Sequence, residues 1–237
     1  MLYGMYLSTG GMMQLRHRLD VIANNMANVD TTGFKRDQVF FKARSAESAK
    51  SPALARYGSA LLQEIGGGAL VSPTLTEFKQ GEVEMTGNKL DVCLRGPGFL
   101  EVRVGNQTRY TRDGHLTLAK DGLLVTANDG FPVLNGEGQT IQLDPSQDIV
   151  IKPDGQICQN GTPVAQLKVV QFDRPQALKK VGDNLFANEA QAASHAVPAN
   201  LIVGALERST VDPVAELVAM IETQRAYEAN AQMIRLQ

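Results

Sequence analysis

Apolar side chains recur at alternating intervals of three and four residues near the start of the chain. The repeat runs through Met12, Leu15, Leu19, Ile22, Met26 and Val29. This spacing is that of the a and d positions of a coiled-coil helix. Gly33 follows the last turn of the pattern, and a glycine in the left-handed conformation commonly ends a helix. The pattern therefore predicts a long amphipathic N-terminal helix that ends near Gly33.

A second helical pattern lies at the other end of the sequence. Asp212 and Pro213 form a predicted N-cap followed by proline at the first helical position. One row of side chains again keeps the three-and-four spacing, with Ile221 beside it: Leu217, Met220, Gln224, Tyr227, Ala231 and Ile234. The pattern is unbroken at Gln237, so we expect a helix that either stops with the sequence or continues beyond it.

The region between the helices has a different pattern, in which short alternating runs such as HLTL and LLVT are separated by turn signals. The turn signals are Asp-Gly and Asn-Gly pairs, which tolerate the positive φ angles of tight hairpins. They begin at Asp113, Asp121, Asp129, Asn135, Asp154 and Asn160. The pattern predicts an antiparallel β domain built from hairpins, with a tight turn at Asn160–Gly161.

These patterns predict an α+β protein with four segments. Residues 1–36 and 204–237 are the terminal helical segments, each with a coiled-coil-like pattern. Residues 75–203 are the central antiparallel β-rich domain. Residues 37–74 have mixed composition and a triple glycine at 66–68, so we expect an extended, partly mobile linker of possible functional importance.

Composition narrows the classes of function. The formal net charge is −2 with an isoelectric point near 6.0, which argues against binding of nucleic acid through a basic surface. The chain has no Trp and only 5% aromatic residues, so no platform for bases or sugars is visible. No segment has the length of a membrane span, and the N-terminus lacks the basic region and cleavage site of a secretory signal.

A search for catalytic and metal-binding chemistry gives no candidate site. The three histidines stand in different predicted elements without ligand-like spacing, and no catalytic or phosphate-binding motif is present. Glu82 and Glu84 would share one face of a strand, but a solvated face explains them better than an acid–base pair. We expect no enzymatic activity, cofactor or metal. Cys93 and Cys158 are predicted to be buried thiols, with a single disulfide as the alternative.

The end of the N-terminal helix has an unusual outer face. Between Val21 and Thr32 there is no Lys, Arg or Glu, and the outer positions hold alanine and asparagine. One interpretation is a fraying helix end in a single domain. The other is a helix enclosed by neighbours, in which small alanines allow close approach and Asn24 and Asn25 form hydrogen bonds across helices. A single chain offers only one other strong helix, so further neighbours would come from other copies.

Four stretches of the chain together resemble one known family. LDVIANNMANVDTTGFKR at 19–36 and LVAMIETQRAYEANAQMI at 217–234 resemble the terminal motifs of bacterial flagellar axial proteins, the rod and hook family. TGNKLDVCLRGPGFLEV at 86–102 and YTRDGHLTL at 110–118 resemble the β domain of that family. The chain is too short for the larger outer domains of hook proteins. Within the family it most resembles the rod proteins, the proximal F type first and the distal G type second.

The resemblance implies a structural subunit of the basal-body rod that polymerises helically and transmits motor torque across the periplasm. It implies terminal helices in an inner tube with the β domain outside, and export in the unfolded state through the flagellar type III apparatus without a cleaved signal. Its partners would be other copies, other rod proteins and the export apparatus, with no nucleic acid and no small-molecule substrate.

Two other classes of function compete with this interpretation. One is a secreted adhesin or carbohydrate-binding β module with a helical oligomerisation stalk, and the other is an enzyme with a β-helical cleft. The former predicts exposed aromatic residues, which the lack of Trp disfavours. The latter needs a cluster of carboxylates facing a groove. On the main interpretation, subunit contacts are expected along both helical rows and at Asn24 and Asn25.

Overall fold

The computed structural model describes residues 2–43 and 69–236. Two long helices stand at the ends of the chain, α1 at Leu2–Ala27 and α2 at Pro213–Leu236. The chain divides into two compact units. The helical unit comprises Met1–Ala27, Asp37–Thr76 and Val211–Gln237, and the β unit comprises Asn28–Arg36 and Glu77–Thr210. The predicted α+β class is confirmed.

The helical unit is built on the packing of α1 against α2. The two helices are antiparallel, because Asn25 near the end of α1 contacts Glu216 near the start of α2. Towards the other end of the pair, a Cβ atom on Gly11 would lie 3.8 Å from Nδ2 of Asn230. Asp212 caps α2 as predicted, since its Oδ1 accepts hydrogen bonds from the N–H groups of Val214 at 2.9 Å and Ala215 at 3.1 Å.

Four short strands complete the described part of this unit: β1 (Asp37–Gln38), β2 (Phe41–Ala43), β3 (Ala69–Val71) and β4 (Leu75–Thr76). β1 pairs with β4 and β2 pairs with β3, both antiparallel. α1 contacts β1 and β3. The expected mobility of the 37–74 linker concerns mainly residues 44–68, which lie outside the described residues.

The β unit contains fifteen of the described strands. They are β5 (Val83–Met85), β6 (Val92–Leu94), β7 (Phe99–Val104), β8 (Gln107–Thr111), β9 (Leu116–Leu118), β10 (Leu124–Thr126), β11 (Ile149–Ile151), β12 (Gln156–Gln159), β13 (Thr162–Gln166), β14 (Val169–Phe172), β15 (Lys179–Lys180), β16 (Leu185–Ala187), β17 (Ser194–Val197), β18 (Leu201–Val203) and β19 (Ala205–Glu207). A short 3₁₀ helix at Pro175–Ala177 precedes β15.

The largest sheet of the β unit has six strands in the order β15-β16-β8-β7-β14-β17, and a smaller sheet has the order β11-β12-β13. Two-stranded pairs form between β9 and β10, β5 and β19, and β6 and β18. All of these pairs are antiparallel, as predicted. Asn160 with φ 48° and Gly161 with φ 83° form the predicted two-residue turn between β12 and β13.

The core of the β unit has an aliphatic and an aromatic part. The aliphatic part includes Leu100, Leu124 and Ile157, each of which is fully buried. In the aromatic part, the Phe99 ring lies 5.6 Å from that of Phe186 in an edge-to-face arrangement. The two cysteines are buried and free, so the prediction of buried thiols is confirmed.

The predicted end of the first helix is wrong. α1 ends at Ala27, and the residues from Asn28 onwards form turns. In the β unit, the hydroxyl of Thr31 donates a 3.1 Å hydrogen bond to the Asn28 side-chain oxygen. Asn and Thr side chains bind locally in this way and thereby compete with helical backbone bonds. Val29 consequently lies outside α1 and is not part of its apolar row.

Gly33 serves a different purpose from the predicted helix cap. It has φ 67°, and its N–H donates a 2.7 Å hydrogen bond to the carbonyl oxygen of Glu207 within the β unit. A Cβ atom at this position would lie 2.5 Å from the carbonyl oxygen of Arg112. Glycine is therefore required by the close approach of two backbone segments as well as by the left-handed conformation.

The four predicted segments remain a prediction. Two parts of the structure lie on the other side of the predicted boundaries. β19 lies at the start of the expected C-terminal helical segment, and α2 begins only at Pro213. At the other end, residues 28–36 belong to the β unit and not to the helical unit.

Candidate assembly surface

Asn25 is the buried polar centre of the helical unit. Its side-chain oxygen accepts a 3.0 Å hydrogen bond from the N–H of Asp37, and its Nδ2 donates to the Asp37 carbonyl at 2.9 Å. Nδ2 also donates to Oε1 of Glu216 on α2 at 3.3 Å. Asn25 and Glu216 are each only 1% exposed. One amide thus joins α1, β1 and α2.

The apolar row of α1 is covered on the side that carries Asn25. Ile22 is buried, and four further members of the row are half-buried: Met12, Leu15, Leu19 and Met26. The opposite side is exposed and consists of Ala23, Asn24 and Ala27 in the last turns. The structure therefore places Asn24 and Asn25 on different sides of the helix. Asn25 forms its hydrogen bonds to Asp37 and Glu216 on the inner side, and Asn24 lies on the outer side.

The predicted row of α2 is divided between two faces in the same way. Glu216 and Thr223 mark the inner face, and Thr223 donates a 2.6 Å hydrogen bond to the carbonyl of Ala219. Four predicted interface residues are half-buried on this side: Met220, Tyr227, Ala231 and Ile234. Leu217, Ile221 and Gln224 are exposed, so the single continuous row expected from the sequence does not describe α2.

The outer face of α2 begins with an exposed apolar stripe. Val214, Leu217, Val218 and Ile221 are 69%, 52%, 50% and 44% exposed, respectively. Their spacing of i, i+3, i+4 and i+7 places them on one side of a helix, and that side points away from Glu216 and Thr223. A stripe of this kind is typical of a contact surface for another protein. Val214 and Val218 were not among the predicted interface residues, but the i, i+3, i+4 and i+7 spacing places them on the same stripe as Leu217 and Ile221.

The β unit encloses a cluster of charges that the sequence analysis missed. Oε1 of Glu207 accepts hydrogen bonds from Nζ of Lys35 at 2.5 Å and from the N–H of Gly81 at 2.7 Å. Its Oε2 accepts from the Arg112 guanidinium at 3.3 Å. Lys35, Arg112 and Glu207 are 0%, 4% and 1% exposed. Burial lowers the pKa of Lys35 and of Arg112, against the opposing effect of Glu207.

A polar cleft of about 530 Å³ in the β unit is lined by carboxylates, including Asp113, Asp129 and Asp183. Burial raises the pKa of Asp113, and the hydroxyl of Thr32 donates a 2.6 Å hydrogen bond to its carboxylate. The pKa of Asp129 is raised by desolvation and by the charges of Asp183 and Asp113. Among the described residues, no group of His, Cys, Asp and Glu has an arrangement that could hold a metal ion.

Glu82 and Glu84, which the sequence suggested as a solvated strand face, lie 3.8 Å and 3.6 Å from the Arg208 guanidinium.

Neither described helix has the length and apolar character needed to cross a lipid bilayer. The apolar stripe of α2 is not covered by any described residue, and such a surface is typical of the class of proteins that contact other protein subunits.

Comparison with known proteins supports this class. Residues 5–35 match the family of flagella basal body rod proteins, and residues 202–236 match the C-terminal family of the flagellar basal body rod FlgEFG proteins. Residues 93–159 match the D1 domain of the flagellar hook protein FlgE/F/G family.

The chain is also similar to individual rod proteins over almost its whole length. It is 35% identical to the basal-body rod protein FlgF of Caulobacter vibrioides, over 97% of this chain and 91% of that protein. It is 34% identical to FlgG of Bacillus subtilis, over 99% of this chain and 94% of that protein. FlgG of Caulobacter vibrioides is 30% identical over 96% of this chain and 92% of that protein.

The chain therefore belongs to the family of flagellar basal-body rod proteins of the F/G type. It is a structural subunit of the rod in the bacterial flagellar basal body, and its family assembles with other rod and hook proteins. The adhesin alternative finds no support in these matches.

Proposed function

We propose that the chain polymerises helically through its two terminal helices and so forms part of the drive shaft that transmits motor torque across the periplasm. The observation that carries this proposal is the exposed apolar stripe of α2, formed by Val214, Leu217, Val218 and Ile221. Exposure of several large apolar side chains on one helix face opposes stability in water, and a neighbouring subunit would remove that cost.

The proposed contacts also include the outer face of α1. Ala23, Asn24 and Ala27 are exposed and uncharged, although an exposed helix face normally holds Lys and Glu. A small, uncharged face suits a helix that becomes enclosed, because no charge has to leave water when a neighbour arrives. The inner residues of both rows support assembly indirectly, since they hold α1 and α2 together.

We propose further that this is a rod protein of the proximal F type. Two relatives from one organism give the support: identity to FlgF of Caulobacter vibrioides is 35%, and identity to FlgG of the same organism is 30%. The alignment with this FlgF spans 232 positions, whereas that with Bacillus subtilis FlgG spans 252, more than the 237 residues of this chain. The FlgG alignment therefore includes residues that this chain lacks.

The route to the rod belongs to the same proposal. The chain would leave the cytoplasm unfolded through the flagellar type III export apparatus, without a cleaved signal, and fold on arrival in the periplasmic rod. The proposed partners are other copies, other rod proteins and that apparatus, with no nucleic acid or small-molecule substrate and no enzymatic activity. Contacts through the helices would place the terminal helices of neighbouring copies together in an inner tube.

The test compares one substitution at two valines of equal exposure. Val218 on α2 is 50% exposed and Val164 on β13 is 49% exposed. Val218→Asp places a charge in the stripe, and Val164→Asp places the same charge on the β unit. Each variant replaces the wild-type gene, and purified basal bodies are probed for the chain while swimming is recorded. We expect Val218→Asp to be absent from basal bodies and non-motile, and Val164→Asp to behave as wild type.

Normal swimming of the Val218→Asp strain would show that the stripe is not an assembly surface. Circular dichroism of both purified variants controls for folding. Because Val218 is half exposed, its replacement should leave the helical signal almost unchanged. The free energy of unfolding should stay within about 0.5 kcal/mol of the wild-type value.

A further inference from the structure

The helical unit has two outer faces, and they point in opposite directions. The inner sides of α1 and α2 meet at Asn25 and Glu216. The outer side of α1 and the outer side of α2 therefore lie on the two far sides of the helix pair, separated by about two helix diameters of 10–12 Å. A contact between outer faces must involve two copies of the chain. The following inference rests on the proposed function.

The two outer faces differ in shape in a complementary way. The outer face of α2 carries the ridge of large side chains that includes Val218 and Ile221. The outer face of α1 is smooth at the same end of the pair, where Ala23 and Ala27 are exposed. Large side chains pack well against a helix that presents alanine, because small residues allow the two backbones to approach closely.

Both faces also continue into charged residues, and the order of the charges is complementary. Beyond Ala23, the outer face of α1 carries Asp20 and then Arg16. Beyond Ile221, the outer face of α2 carries Arg225 and then Glu228. All four side chains are exposed, and none of them makes an ion pair with another described residue.

The axial register between two copies decides whether these charges attract. Within one chain, Asn25 is level with Glu216 and Gly11 is level with Asn230. The same register between two copies would set Arg16 of one against Arg225 of the other, which repel each other.

Moving α2 of the second copy by one helical turn towards the C-terminal end of α1 of the first copy replaces this repulsion. It brings Asp20 to Arg225 and Arg16 to Glu228, and both pairs attract. The same displacement brings Ala23 to Ile221 and Ala27 to Val218, so the shape and the charge of the two faces select one register. A second turn would place Asp20 against Glu228, and a turn in the other direction would place Arg16 against Ile221.

We propose that the outer face of α2 of one copy packs on the outer face of α1 of the next copy, displaced along the helix axis by about one turn, or about 5–6 Å. Each copy then offers two different faces, and the contact is heterologous. A heterologous contact with an axial displacement cannot close into a ring and continues as an open helical filament.

Crosslinking tests the register directly. A variant with Ala23→Cys and Ile221→Cys places two thiols that cannot meet within one chain, because a disulfide requires Cα atoms about 4.4–6.8 Å apart. The native Cys93 and Cys158 are buried. After mild oxidation of cells that are assembling flagella, basal bodies are purified and their proteins separated without reducing agent. We expect a ladder of dimers, trimers and longer chains.

The matched control combines Ala23→Cys with Val214→Cys, which lies on the same face but about 10 Å further along the axis. It should give no ladder. Either single-cysteine variant should give dimers at most. Equal ladders from both pairs would overturn the proposed register, and so would the absence of a ladder when the variant chain is present in basal bodies. Absence of the wild-type chain itself from basal bodies would contradict the proposed function instead.

Charge reversal gives a second, independent test. Asp20→Arg and Arg225→Asp should each reduce incorporation into basal bodies about tenfold, because each replaces an attraction by a repulsion. The double variant restores opposite charges and should return incorporation close to wild type. The pairing of Asp20 with Arg225 would be overturned if the double variant lost as much incorporation as the two single variants together. The helical signal of all three purified proteins should match wild type, since these side chains are exposed.

Discussion

The two units of this rod protein treat their polar and apolar side chains in opposite ways. In the β unit, the charges of Lys35, Arg112 and Glu207 are buried together. In the helical unit, Val214, Leu217, Val218 and Ile221 remain exposed on one face. The comparison teaches that the β unit buries these charges against partners from its own chain, whereas the helical unit leaves an apolar stripe, for which we propose a neighbouring copy as the cover.

The largest expected effect comes from opening the charge cluster of the β unit. Glu207→Gln removes the negative charge that faces Lys35 and Arg112, and leaves two buried cations without it. We expect the free energy of unfolding of the β unit to fall by about 3–5 kcal/mol, as for other buried pairs from which one partner is removed. Urea denaturation followed by circular dichroism measures this loss.

The matched control is an exposed ion pair of the same unit. Nζ of Lys89 lies 2.7 Å from Oδ1 of Asp148, and both side chains are more than half exposed. Asp148→Asn should change stability by less than about 1 kcal/mol. If the Glu207→Gln protein were as stable as the Asp148→Asn control, the buried charges of Lys35 and Arg112 would not depend on Glu207 for their stability.

The second effect distinguishes two neighbouring asparagines of the helical unit. Asn25→Ala removes hydrogen bonds to Asp37 and Glu216 and leaves buried polar groups without them, at an expected cost of about 1–3 kcal/mol. Asn24→Ala changes an exposed side chain and should cost less than about 0.5 kcal/mol. Hydrogen exchange of the α1 amides measures both. Equal protection in the two variants would remove the assigned difference between the inner and outer faces.

A smaller effect is expected at the hairpin between β12 and β13. A Cβ atom on Gly161 would have no other atom within 4 Å, so there is space for a side chain. The φ angle of 83°, however, is one that residues with a side chain rarely adopt. Gly161→Val should destabilise the β unit by about 1–2 kcal/mol, because β-branched residues resist positive φ. Gly161→Asn, which tolerates this conformation, is the control and should be close to wild type. A melting temperature that is unchanged in both would contradict the turn.

The smallest effect is a dependence of stability on pH. Burial raises the pKa of Asp113 above its ordinary value of 3.8, so the folded state holds a proton that the unfolded state has already released. The corresponding stabilisation is complete below the unfolded pKa and is lost as pH rises through the folded pKa. Asp113→Asn removes this dependence, so the stability of wild type relative to the variant should decrease as the pH rises above the ordinary Asp pKa of 3.8. Parallel curves would contradict the raised pKa.

Local chemistry explains what could be predicted from the sequence. The Asn160–Gly161 turn and the Asp212 cap act within a few residues, and both were predicted. The contact between Lys35 and Glu207 joins residues that are 172 positions apart, and no periodicity indicates it. The sequence pattern predicts the helix end too late because the apolar spacing continues to Val29, while the hydrogen bond between Thr31 and Asn28 favours a turn there.

The assembly surface was predicted in part for a related reason. Spacing identifies which side chains share a face of a helix, but it cannot tell which of two apolar faces meets the partner within the chain. The spacing therefore groups Leu217 and Ile221 with Met220 and Tyr227, although Leu217 and Ile221 point away from α1. The buried partners Asn25 and Glu216 settle the orientation, and their contact depends on the tertiary fold.

The hydrogen bond between Asn25 and Glu216 also sets an order of events during synthesis. Its two residues are 191 positions apart, so the ribosome completes α1 long before it makes α2. At about 5–20 residues per second, α1 waits roughly 10–40 s for its partner. During that time α2 cannot cover the apolar side chains of α1, so the pairing of the two helices is a late event in the life of the chain.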